Sequence, residues 1–77
     1  MKRKYTVIIE RDESGWYISE VVELPGCHTQ AKTIDELIER TKEAIALCLE
    51  ERGDGDIKVS FVGLQKIGVE DGQIASN

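Results

Sequence analysis

The sequence predicts an α+β domain with the element order β-β-β-α-β, an antiparallel sheet carrying one helix on one face. Three features point to it. Short stretches toward both ends of the chain alternate apolar and polar residues with a period of two, as half-buried strands do. One stretch between Thr33 and Arg52 instead repeats its apolar residues at three and four, as a helix with one buried stripe does. Between these regimes, Leu24-Pro-Gly-Cys-His-Thr-Gln-Ala-Lys-Thr-Ile-Asp-Glu-Leu37 holds a chain reversal, a short strand and a helix start with almost no slack.

The first strand is expected from about Lys4 to Glu10. Tyr5, Val7 and Ile9 alternate there with Thr6, Ile8 and Glu10, so one face is wholly apolar and the other partly so, the pattern of a central strand. Arg11-Asp-Glu-Ser-Gly15 has the composition of a short hairpin connection, and the second strand follows from about Trp16 to Val22. Pro25 fixes φ and Gly26 tolerates a positive φ, so Leu24-Pro-Gly-Cys27 reads as a type II turn into a third strand.

Thr33 stands where a helix N-cap is wanted. Glu36, three residues on, completes a capping box in which the Thr33 hydroxyl accepts from the Glu36 N–H and the Glu36 carboxylate reaches back to the Thr33 N–H. Ile34, Leu37, Ile38, Thr41, Ala44, Ile45, Cys48 and Leu49 form the buried stripe. The opposite face carries Glu36, Glu39, Arg40, Glu43, Glu50 and Glu51, with Glu36 and Arg40 spaced for a favourable i,i+4 pair and Glu39 repelling Glu43 mildly. Gly53 is the expected C′ residue and Asp54-Gly55-Asp56 the turn after it.

A fourth strand is expected from Ile57 to about Leu64, where Ile57, Val59 and Phe61 alternate with Lys58, Ser60 and Val62. The pattern fades from Gln65 onward. Residues 1–67 are read as a single domain and 68–77 as a frayed tail.

Composition narrows the function. A chain of 77 residues makes one domain and buries only about 60 to 65% of its unfolded surface, so association would help to stabilise it. Its 40% hydrophobic and 32% charged residues are those of a soluble chain, and its apolar runs fall far short of the ~20 residues a membrane span requires. Met1-Lys-Arg-Lys4 leads into an alternating segment instead of an apolar signal core, so the expected location is the cytoplasm. A net charge of −5 argues against general nucleic-acid binding, since phosphate contacts need Lys and Arg, and suits a basic partner.

No cofactor, metal or catalytic centre is expected. Cys27 and Cys48 read as buried free thiols; they lack the paired spacing of zinc ligands. Cys27 and His28 are a nucleophile and a base by type, but neighbours on a strand point to opposite faces. Glu10, Glu20, Glu23 and Asp35 are carboxylates of the kind a two-metal nuclease uses, and read more simply as solvated charge or, for Asp35, as an acid favoured by the helix dipole.

One helix covers only one face of a sheet. Thr6, Ile8, Tyr17 and Val21 are expected on one side and Val7, Ile9, Trp16 and Ile18 on the other, which leaves an apolar face open for a copy of the chain or another protein. Trp16 and Tyr17 pack the sheet and are also the residue types of interface hot spots. With Glu20, Glu23 and His28 they form the candidate partner-binding set.

The order Tyr5-Thr-Val-Ile-Ile-Glu10, Glu13-Ser-Gly-Trp-Tyr-Ile-Ser19, Leu24-Pro-Gly-Cys-His-Thr29 and Thr33-Ile-Asp-Glu-Leu37 resembles the HicB-like antitoxin family. That family shows an aromatic-led first strand, an acidic turn ending in Gly plus an aromatic, an "lPGC.t.G.T..EA" segment and a helix containing "EAI". The likeness runs from about Tyr5 to Glu51. It departs where Ala31-Lys32 replaces the usual Gly-Asp and Leu37 the usual Ala, both structural positions.

The resemblance implies a cut-down ribonuclease H-like fold and binding to a HicA-type toxin, a small basic protein that cleaves messenger RNA and whose active site the antitoxin covers; the short chain and its open sheet face add the expectation of a homodimer. An acidic domain fits such a partner in steering and complementarity. Many members add a C-terminal DNA-binding segment; the dozen or so residues after the fourth strand are too few for one, so no direct nucleic-acid contact is expected. Two other readings stay open: an orphan homo-oligomeric binding module, and a degenerate ribonuclease H-like nuclease domain.

Overall fold

The computed structural model describes residues 3–52 and 57–70. β1 (Val7–Arg11), β2 (Tyr17–Val21) and β3 (His28–Ala31) form an antiparallel sheet in the order β1-β2-β3, and α1 (Ile34–Arg52) packs on one face. This is the expected sheet with its single helix.

Local chemistry accounts for each junction. In the β1–β2 loop the Asp12 carboxylate accepts from the Ser14 N–H at 3.0 Å, the Ser14 hydroxyl at 2.9 Å and the Trp16 N–H at 3.0 Å, while Gly15 takes φ 92°. The expected type II turn is present: the Cys27 N–H donates to the Leu24 carbonyl at 2.8 Å and Gly26 has φ 89°. At the helix start the Thr33 hydroxyl accepts from the Glu36 N–H at 3.1 Å. The reciprocal half of the box is displaced by one residue, since the Glu36 carboxylate takes the Lys32 N–H at 3.4 Å.

The hairpin loop sets Arg11 opposite Tyr17, so the register joins Val7 to Val21, Ile8 to Glu20 and Ile9 to Ser19. Val7, Ile9, Tyr17 and Val21 therefore share the helix side, and Ile8 lies with Ile18 on the other. The grouping expected from alternation, Ile8 with Tyr17 and Val7 with Trp16, is thereby corrected. With a side-chain period of two, an odd shift in register exchanges the faces of one whole strand.

The core beneath α1 is small: Val21, Leu24, Cys27, Ala31 and Leu37 are its buried apolar residues. It also holds a polar pair. The Thr41 hydroxyl donates to the Leu37 carbonyl at 2.6 Å, which leaves its oxygen to accept from the Ser19 hydroxyl at 2.8 Å; among the described residues no buried polar side-chain atom lacks a partner. The Glu36–Arg40 ion pair forms at 3.3 Å, and Arg40 also donates to the Gln30 carbonyl at 3.0 Å, tying α1 to β3.

The helix leans over β2 and β3 and stands away from β1. β1, expected as a central strand, is an edge of the sheet. The expected fourth strand, Ile57 to about Leu64, pairs with none of the three: residues 57–70 carry no regular secondary structure. Ile57 packs on the core cluster with Tyr5 and Val7, and from Val59 onward the apolar side chains of this arm are exposed. Alternation shows that a segment has two unlike faces; it does not say which strand it pairs with. The expected C′ residue Gly53, the turn 54–56 and most of the tail lie outside the described residues.

Candidate functional site

Strand alternation places Ile8 and Glu10 of β1, Ile18 and Glu20 of β2, and His28 and Gln30 of β3 on the sheet face opposite α1. In the register Ile8, Glu20 and His28 form one cross-strand row, and Glu10, Ile18 and Gln30 the next. Trp16 and Lys32 extend this face at one end, where the Lys32 ammonium sits 5.1 Å from the Trp16 ring centroid. The aromatic and the two isoleucines are partly exposed, flanked by exposed Glu10 and Glu20. Among the described residues no helix or strand stacks on them as α1 does on the other face.

Three of the five candidate partner-binding residues, Trp16, Glu20 and His28, thus share one surface. Tyr17 is on the helix side, beside Ala31 and with the Arg11 guanidinium 6.0 Å from its ring centroid. Glu23 is engaged elsewhere: its two carboxylate oxygens accept from the Thr6 N–H and the Thr6 hydroxyl, each at 2.8 Å, clipping the entry of β1 to the β2–β3 connection. Partial burial acts to raise the Glu23 pKa, and the two bonds from Thr6 more than offset it, holding the carboxyl below its ordinary value. Lys32 was not singled out from the sequence; only its cross-strand position relative to Trp16, set by the register, marks it.

A second feature lies on the helix side. An apolar groove of about 230 Å³ runs between Tyr5, Val7 and Ile9 at β1 and Ile38, Thr41, Lys42 and Ile45 of α1. It follows from the helix leaning over β2 and β3.

The Cys27–His28 pair is divided between faces. Cys27 is buried under α1, while His28 is exposed. Burial, then the hydrogen bond with Cys48, pushes the Cys27 thiol up to about 12, away from the range of a nucleophile. Cys27 and Cys48 are both free thiols. Glu10, Glu20, Glu23 and Asp35 do not converge, and among the described residues no group of three or more His, Cys, Asp or Glu side chains could hold a metal ion.

Residues 5–66 match the family described as the HicB-like antitoxin of bacterial toxin–antitoxin systems. A UPF0150 protein of Archaeoglobus fulgidus is 50% identical over 72 residues, covering 90% of this chain and 99% of that protein. One from Synechocystis is 47% identical over 66 residues, covering 86% of this chain and 94% of its own length, and one from Thermotoga maritima is 38% identical over 71 residues, covering 91% and 95%.

Proposed function

We propose, from the premise that this chain belongs to the HicB-like antitoxin family, that it binds and neutralises a small basic HicA-type messenger-RNA-cleaving toxin by protein–protein contact. The observation that carries the reading is the sheet face opposite α1. It presents Trp16, Ile8 and Ile18 as apolar anchors beside Glu10 and Glu20, on a chain of net charge −5. Apolar anchors ringed by acids suit a basic, partly apolar partner: the charges speed encounter and the anchors supply affinity. Glu20 and His28 are taken as contacts on that face. Tyr17 and Glu23 contribute from behind it, by holding the strands that present it.

The same reading takes residues 1–67 as one domain acting in the cytoplasm as a homodimer. The exposed arm favours self-association as a duty in its own right, the alternative being a homo-oligomeric binding module. A nuclease role has no such support, because its carboxylates are dispersed.

Calorimetric titration with a purified HicA-type protein, paired with an RNA-cleavage assay, tests the proposal. The native chain should bind and stop cleavage, and Trp16→Ala and Glu20→Lys should each weaken binding at least about tenfold. Unchanged affinity in both variants would move the contact off this face, and no binding by the native chain would set the antitoxin reading aside.

A further inference from the structure

The arm formed by residues 57–70 and the groove beside β1 are two unsatisfied apolar features of one chain. Val62 is 95% exposed, Ile67 79% and Leu64 69%. The groove, lined by Val7, Ile9, Ile38 and Ile45 among others, opens at a sheet edge beyond which the described residues place no strand. We propose that the arm of each molecule lies as an added strand along β1 of a second copy of this chain, filling that copy's groove.

The pattern of the arm fits the bed. Ile57, Val59 and Phe61 fall on one side of an extended segment, the side that would face Ile38 and Ile45; Lys58 and Ser60 fall on the other. With a strand added, β1 becomes an interior strand, as its two-sided apolar pattern anticipates.

Length and uncovered apolar side chains favour a second copy over the chain's own groove. Ile57 packs against the same buried cluster as Tyr5 and Val7, so the arm could turn back toward its own β1, yet in the structure residues 57–70 pair with no strand. Fully extended, residues 57–70 reach about 46 Å, whereas the five residues of β1 offer about 17 Å. Closing on its own edge would leave Leu64, Ile67 and Val69 uncovered; lying across another molecule gives them a surface as well.

The test uses the full chain. Isotope-labelled and unlabelled protein are mixed through a denaturation–refolding cycle, and filtered NOE spectra are recorded between Phe61 ring protons of one copy and the Ile9, Ile38 and Ile45 methyls of the other. Intermolecular cross-peaks are expected, together with a dimer in sedimentation whose dissociation constant rises at least tenfold in Phe61→Ser while the helical circular dichroism is kept. Cross-peaks only within a copy would show that the arm closes on its own groove, and so overturn the proposal. A monomer at all concentrations would do the same, as would a dimer lacking these cross-peaks, or a monomer whose Phe61 and Ile38 signals shift only on adding toxin. Toxin binding at the opposite sheet face is read separately by the Trp16 and Glu20 variants, so either proposal can fail alone.

Discussion

Cys27 is 1% exposed, and its thiol donates to the Ala44 carbonyl at 3.4 Å. With a pKa of about 12 in the folded chain against an ordinary 9.0, it keeps its proton between those values while the unfolded chain loses it. The contribution to stability is therefore intact below pH 9 and falls as pH rises toward 12, by at most about 1.4 kcal/mol per pH unit. Denaturant titrations across that window should show native stability dropping more steeply than that of Cys27→Ala, whose curve lacks this proton; parallel curves would contradict the assignment. The burial of Cys27 was legible from its residue type and place after the turn. Its partnership with Cys48 was not, because it depends on how the helix C-terminal half settles on the turn. Glu23 is a plainer case: an acid before a turn reads as solvated charge, and only the path of the chain into β1 brings Thr6 to it.

Among the elements, α1 was the easiest to read, since its stripe, its cap and its Glu36–Arg40 pair are all local. Thr33→Ala removes the acceptor for the Glu36 N–H and should cost about 1 kcal/mol, a fall in melting temperature of about 4 to 8 °C for a domain of this size, whereas Thr33→Ser should leave it nearly unchanged. Equal melting points for the two variants would mean that the cap contributes nothing. The strands were harder. Their existence follows from alternation, but which side of β1 meets which side of β2 rests on the loop, where Asp12 organises the backbone of Ser14 and Trp16. That register brings Ile8, Trp16 and Ile18 to one face and sends Tyr17 to the other.

At the scale of the molecule, five buried apolar side chains among the described residues make a slender core, and much apolar surface is left at the sheet face, the groove and the arm. A domain built in this way is completed by association. If arm exchange contributes to folding, the melting temperature of the full chain should rise with protein concentration, as mass action requires when the folded state is the associated one. A melting temperature independent of concentration over two decades would show that each chain is stable alone. Among the described residues no helix is long and apolar enough to cross a membrane.

By itself the sequence determined the α+β class, the turn at Pro25-Gly26, the limits of the helix, the likeness to the HicB-like family and the prospect of an uncovered sheet face. Each rests on interactions between residues near one another in the chain or on a repeating pattern. Only the tertiary structure decided which residues make up that face, that Glu23 is held by Thr6, and that the segment after the helix stands away from the sheet. Those outcomes depend on the pairing of strands and on where the helix comes to rest, and neither is encoded in the alternation of a single segment.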